Sequence, residues 1–366
     1  MATRPRIAVV GASVRGAAFS LLREGYAVVT ADLFADADLL RVCPAERVTN
    51  YPYELAEWLA RTECEGWLYT GALENYPELV DQMATRCPLW GNPGTVLRRV
   101  RDPLILQETL TAADLCFPET RACNGQPQGA GAWLHKSGQG SSGSGVRQLD
   151  SASRPKEGYW QRRVPGLAGS ALFKVSENCC QLLGITRQLV GESWTGARPF
   201  QYAGSLAPWE LSAEVVAKIT KLGTEISIEF NLQGSWGFDF IFNEEQVWPV
   251  EVNPRTTAAA EVIERATHAK TFAGKIVLYA KHPLEVSQAT SDQLLNRAGS
   301  FVHPHLADIP NPSTPIASGE PILTVFAEGN SLAEVENKLR QQAIDLETKL
   351  YGNVSSSRVG IAHQKF

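Results

Sequence analysis

The sequence predicts an α/β protein of several domains, and three stretches carry that expectation. Ile7–Val10, a glycine turn, a helix over Ala17–Glu24 and Val28–Ala31 alternate as a parallel βαβ unit does. Trp133–Lys136 runs as a strand into the glycine- and serine-rich stretch 137–145. Trp236–Arg255 reads as two strands around the polar turn Asn243-Glu244-Glu245, with acids set inside apolar runs.

The 366 residues allow two or three domains with a sizeable core. A hydrophobic content of 44% and a charged content of 20% are ordinary for a globular enzyme. A net charge of −5 with no long basic run argues against nucleic acid as the main partner. The seven cysteines show no CxxC pair and no Cys/His spacing, so reduced thiols in the cytoplasm are expected rather than a zinc site. No apolar run approaches the roughly 18 residues of a membrane span, and the N-terminus lacks a signal-peptide pattern. No membrane partner is therefore expected.

The opening turn, Gly11-Ala12-Ser13-Val14-Arg15-Gly16, is followed by a strand ending at Asp32. This supports a dinucleotide-binding oxidoreductase as one reading, although the spacing is GxxxxG and not GxGxxG. Asp36 and Asp38 are expected in a solvated loop. Gly66–Thr70 is a further parallel strand, and the loop Gly71–Pro77 at its carboxyl end lies where open α/β sheets place ligands. Asn75 is either a substrate contact or a cap for the helix that starts at Pro77. A single helix is expected over Thr95–Leu110, with Arg98, Arg99 and Arg101 on a solvated face.

Lys136 just before a glycine-rich loop suits a phosphate site. Glycines let backbone N–H groups close on phosphate oxygens, serines add donors, and lysine supplies a point charge. Gly138, Gly140, Ser141, Ser142 and Gly143 are the candidate loop residues; a flexible linker is the other reading. A helix is expected over Ser212–Phe230 from its apolar stripe. In the hairpin, Glu251 and Asn253 lie two apart on one strand face, and antiparallel pairing brings Asp239 opposite them. Two carboxylates and an amide oxygen form a hard oxygen site suited to Mg²⁺. The other reading is a surface hairpin with solvated acids, which buried charges inside apolar strands disfavour.

The string Glu251-Val252-Asn253-Pro254-Arg255, with an acid in the neighbouring strand, resembles the metal-binding end of the ATP-grasp superfamily, whose members are carboxylate–amine or thiol ligases working through an acyl-phosphate. The continuation through Thr256-Thr257-Ala258 to Glu261 and Glu264 resembles it too. The resemblance implies a Rossmann-like N-terminal domain (1–93), a two-lobed ATP-grasp domain (94–285) and a small C-terminal α+β lobe (286–366). The small lobe would run from about 117 to 164 and the large lobe from about 165 to 285. It implies ATP and one or two Mg²⁺ ions, the latter held by Asp239, Glu251 and Asn253. Lys136 and the glycine loop would hold phosphates, and Arg255 would grip the carboxylate or phosphoryl group bidentately. Tyr159–Gly166 resembles the strand that reads adenine, with Gln161 and the backbone of Arg162 and Val164 in contact. No ribose-binding acid is evident after it. The family's Asp-Lys pair is replaced here by Asp102-Pro103.

On the same resemblance Ser13 and Arg15 face the substrate cleft, where Arg15 meets an anion unless it is a solvated first-turn residue. Glu74 and Asn75 are substrate contacts, with Glu74 suited to a cationic amine. The expected substrates are a small-molecule carboxylate, glutamate-like, and an amine. The string Asn253–Thr257 most resembles ligases joining glutamate to tyramine in methanofuran-type one-carbon cofactors. A non-catalytic nucleotide-binding protein remains a third reading, and a homodimer is the assembly to be tested.

Overall fold

The computed structural model describes residues 4–125, 127, 132–140, 142–148, 155–177 and 179–352. The first domain is a parallel sheet of four strands in the order Ala45–Arg47, Ala27–Asp32, Arg6–Val10, Gly66–Tyr69. Ile7 to Val10 are fully buried, as a parallel strand covered on both faces requires. The helices Arg15–Arg23 and Tyr53–Ala60 connect strands of this sheet, and Pro77–Ala84 follows its last strand.

The helix expected over Thr95–Leu110 is two helices, Gly94–Val100 and Pro103–Ala112. Pro103 cannot continue a helix but suits the first position of one. The Asp102 carboxylate caps the second helix by accepting from the N–H groups of Leu104 and Ile105. The resulting bend turns Arg101 away from the solvated face expected for it.

The small lobe is an antiparallel sheet ordered Thr120–Ala122, Tyr159–Arg162, Trp133–Lys136, Val146–Gln148. The central sheet has eight strands: Gln246–Asn253, Gly234–Asn243, Leu167–Ser176, Cys179–Val190, Tyr202–Ala207, Phe272–Tyr279, Pro321–Gly329 and Leu306–Ala307. Alternation along Gly234–Asn243 explains its two faces. Trp236, Phe238 and Phe240 are fully buried, with Trp236 stacked on Phe173 at 4.9 Å. The intervening positions, Asp239 among them, face the other way. The expected helix over Ser212–Phe230 is Ala213–Phe230, capped by Ser212, and it buries Val215, Ile219, Leu222 and Ile226.

The C-terminal segment is not a separate sheet. Ile322 to Ala327 are buried throughout, so this strand needs cover on both faces and pairs with Phe272–Tyr279 inside the central sheet. The helix Leu332–Tyr351 packs Val335, Leu339, Ala343 and Leu346 into the same core as Leu206 and Ile276. The boundary expected at 286 therefore does not separate two sheets.

Two junctions lock the first domain onto the rest. Fully buried Asn92 donates to the carbonyls of Gln233 and Pro254 and accepts from the Gln233 N–H. Arg15 pairs with Glu261 at 2.5 and 3.0 Å and with Asp308 at 2.8 and 3.1 Å. The solvated reading of Arg15 fails, because it is 2% exposed; it lines a cavity, but its guanidinium is already paired with internal carboxylates.

The loop carrying Asp36 and Asp38 is likewise buried and not solvated, because residues 307–311 cover it. Asp38 accepts the N–H groups of Asp308 and Ile309, and Asn311 donates to the Ala35 carbonyl. Asp32 accepts from the N–H groups of Val14, Phe34 and Ala35. A dinucleotide reading needs this acid for a ribose hydroxyl. Its oxygens are spent on the backbone instead.

Candidate active site

A cavity of about 1330 Å³ lies where the first domain, the small lobe and the central sheet meet. Its walls include Lys136, Asp239, Glu251, Asn253 and Arg255. The hairpin turn is tight, with Glu244 and Glu245 both at positive φ, so Asn243 pairs with Gln246. That register sets Asp239 opposite Glu251 and Gly237 opposite Asn253. Pro249 lies on the edge strand, where proline is tolerated, and the pairing slips beside it. The extra residue is Val250, and its carbonyl accepts the Lys136 ammonium at 3.2 Å. One bulge thus joins the lysine of the small lobe to the acids of the sheet.

Asp239 accepts Gln188 Nε2 at 2.8 Å and Asn253 Nδ2 at 3.2 Å. Burial, and then the facing Glu251, push its carboxyl up to about 6. Glu251 behaves in the opposite way. Burial opposes its charge, but Arg101 at 2.5 Å and Lys136 outweigh that and hold it below the usual glutamate value. Burial lowers the Lys136 ammonium from its ordinary value, against the pull of Glu251 and Asp239.

Arg101 was expected on a solvated face and is the residue that sequence reasoning missed. Its guanidinium also donates to Asn75 Oδ1 at 3.2 Å. The available signal was its place directly before Asp102-Pro103, where the helix is bound to break. A small pocket of about 50 Å³, lined by Arg101, Lys136, Glu251 and the glycine loop, adjoins the main cavity. Gln188, 51 residues before Asp239, had no signal in the sequence.

The loop after Lys136 folds back on itself, with Ser137 N–H donating to the Gly145 carbonyl and Val146 N–H to that of Gly143. It docks on the central sheet through Tyr202 N–H to the Ser142 carbonyl and on the first domain through Asn75 Nδ2 to the Gln139 carbonyl. Gly140, Ser142 and Gly143 line the cavity, and Gly138 lines the smaller pocket. Ser141 lies outside the described residues. Gly143 has φ +76°, and a Cβ there would overlap the Phe200 carbonyl oxygen. Gly143→Ala is expected to shift the loop at a cost of about 1–3 kcal/mol, read as roughly 5- to 150-fold weaker MgATP binding by calorimetry.

The expected substrate residues fare unevenly. Ser13 is exposed on the cavity wall. Asn75 is not a helix cap: that position belongs to Tyr76, with no side-chain cap. Glu74 is 4% exposed and holds Arg255, whose Nε lies 2.8 Å and NH2 2.7 Å from Glu74 Oε1. Its Oε1 thus positions Arg255, while its Oε2 is buried without a partner beside the cavity. Arg255 also reaches Asn253 Oδ1 and the Thr256 carbonyl. Four of its five N–H groups are occupied, so the bidentate grip expected of it is not available. Of the adenine strand, Gln161 is 1% exposed and lines the cavity, as does Val164. The Arg162 N–H is taken by the Glu119 carbonyl, which removes that donor from a purine edge.

Residues 100–259 match the family model described as ATP-grasp domain. These residues form an ATP-grasp domain. Solved structures agree in fold. An ADP complex of N5-carboxyaminoimidazole ribonucleotide synthetase matches with a TM-score of 0.69 at 12% identity, over 96% of this chain and 99% of that one. L-amino acid ligase from Bacillus licheniformis matches with a TM-score of 0.67 at 12% identity, over 94% and 98%. An uncharacterized protein of Methanocaldococcus jannaschii is 27% identical over 160 residues, 40% of this chain. The chain spans only 39% of that curated relative's length in the match.

The donor set of the ATP-grasp domain fits magnesium. Among the described residues no group of three or more His, Cys, Asp or Glu could hold a metal ion. Two facing carboxylates plus the Asn253 amide oxygen are what remains, and magnesium takes its other positions from water and phosphate.

Proposed function

We propose that the protein is an ATP-dependent carboxylate–amine ligase. The observation that carries this is the meeting of Asp239, Glu251 and Asn253 with Lys136 and its glycine loop at one cavity. In the reading, the substrate carboxylate oxygen attacks the γ-phosphorus of ATP, giving an acyl-phosphate and ADP. The amine lone pair then attacks the acyl carbon, phosphate leaves, and an amide forms with release of a proton. Catalysis of this kind is positioning and charge neutralisation.

Lys136 and the loop N–H groups would cradle phosphate oxygens. Gln161 and the Val164 backbone would meet the base. Asp239, Glu251 and Asn253 would hold Mg²⁺, which when bound neutralises developing charge on the phosphates. Arg101 fixes Glu251, and Glu74 fixes Arg255, whose remaining N–H would point one donor at the transferring group. A glutamate-like acid and an amine are the proposed substrates; the two comparison structures carry different enzyme names on one fold, so the fold leaves this choice to the cavity.

The test is a phosphate-release screen of amino acids against amines, tyramine included, with the one-carbon cofactor role decided by that pair. Turnover that needs both a carboxylate and an amine is expected. ATP binding without turnover in any pair would favour the non-catalytic reading.

A further inference from the structure

The cavity has a second acidic wall, built from the loop after Ala27–Asp32 and from residues 307–311. Asp36, Asp308 and Glu261 line it, with Asp32 and Asp38 close enough to act on Asp36, and these acids are set against the cations Arg15 and Lys275. Almost all of these acids are supplied with donors. Asp32 takes three backbone N–H groups and Asp38 takes two. Asp308 and Glu261 share Arg15, and Glu261 also accepts Lys275 at 2.8 Å.

Asp36 is the exception. It is 5% exposed and lines the cavity. It stands at the start of the short helix Ala37–Leu40 yet caps nothing. Among the described residues its carboxyl accepts no hydrogen bond and forms no ion pair. Burial and then Asp308, Asp38 and Asp32 push it well above the ordinary aspartate value, with Arg15 opposing. A buried acid without a donor is costly, so the missing donor must come from the cavity side. Water can supply hydrogen bonds there but not charge. An ammonium group supplies both, with three N–H donors.

The surroundings describe the rest of such a ligand. Leu33, Phe34 and Pro310 line the cavity beside Asp36, and Phe34 is 38% exposed. Arg47, also on the cavity wall, is exposed and donates to the Leu33 carbonyl. Glu74, the acid first expected to meet an amine, gives Oε1 to Arg255, and its Oε2 is buried without a partner, so it is the rival amine contact on the cavity wall.

We propose that Asp36 binds an ammonium group of the acceptor substrate, and that this acceptor is a cationic amine with an apolar body. The proposal rests on and deepens the ligase reading, but its test does not need turnover. Benzylamine and its uncharged counterpart benzyl alcohol are titrated by calorimetry into the full-length protein, with and without MgADP. The wild type is expected to bind benzylamine more tightly than benzyl alcohol. Asp36→Asn should weaken benzylamine about tenfold or more while leaving MgADP within about twofold, and Asp36→Glu should recover part of the loss.

Equal binding of the two probes by the wild type, or unchanged benzylamine affinity in Asp36→Asn, would overturn the proposal. If Asp36→Asn fails to fold, the wild-type probe pair and Asp36→Glu still decide it. If the wild type binds no MgADP, the ligase reading falls, while the benzylamine comparison still judges Asp36.

Discussion

Replacing Glu251 by glutamine is expected to lower ATP turnover by about a hundred- to a thousandfold or more, with the fold retained. The side chain is isosteric, and its remaining oxygen can still accept Arg101, now 2.5 Å away. What is lost is one of two negative charges facing each other across the hairpin at Asp239 and Glu251. Phosphoryl transfer involves little covalent work by the protein, so loss of charge at the metal position acts directly on the rate. Phosphate release, a thermal melt and MgADP titration separate the outcomes. A variant with the wild-type melt and the wild-type rate would remove Glu251 from the metal site. A variant that melts early would report on Arg101 instead, and Arg101→Lys would then serve as the control for that pair.

The second large effect concerns stability. Arg15→Met is expected to destabilise the protein by about 3–5 kcal/mol, because it leaves buried carboxylates unpaired. Glu261 is 8% exposed and Arg15 is 2% exposed, so solvent does little to replace the lost partner. Lys275 still satisfies one Glu261 oxygen, which places the effect toward the lower end of that range. The guanidinium also lies 5.4 Å from the Phe19 ring centroid, a contact that methionine retains only as packing.

Equilibrium unfolding in urea measures the change, and an unchanged midpoint would mean that the pair has no net worth. A pH series checks its origin. Burial opposes the Glu261 charge, but Arg15 and Lys275 hold its carboxyl well below the usual value. A depressed acid stabilises above its unfolded pKa of about 4.3, and that stability is lost as pH falls below it. The wild type should therefore lose more stability than Arg15→Met as the pH is lowered through that window.

Much of the site was legible because its chemistry lies in short segments with a strong period. Alternation over Trp236–Arg255 fixed which residues face the core and which face the cavity, since a strand offers only two sides. Lys136 at the end of a strand before glycines was legible for the same reason: the pattern is local, and the structure sets it on the cavity wall. The helix Ala213–Phe230 was set by its apolar stripe and the Ser212 cap.

Side-chain partnership was not legible, because it depends on which segments meet. Arg15 and Glu261 are 246 residues apart, Arg101 and Glu251 are 150 apart, and Arg255 and Glu74 are 181 apart. A charged residue read alone looks solvated or ligand-facing; only the fold decides whether an opposite charge has already taken it. So it was with Arg15, Arg101 and Glu74, and in the opposite sense with Asp36, which the sequence placed in solvent. The C-terminal strand shows the same limit at larger scale. The sequence by itself determined that Pro321–Ala327 is an apolar run suited to a strand. Only the tertiary structure decided that it completes the central sheet, because burial on both faces and pairing along its edge can be met there by Phe272–Tyr279 and the helix Leu332–Tyr351 together.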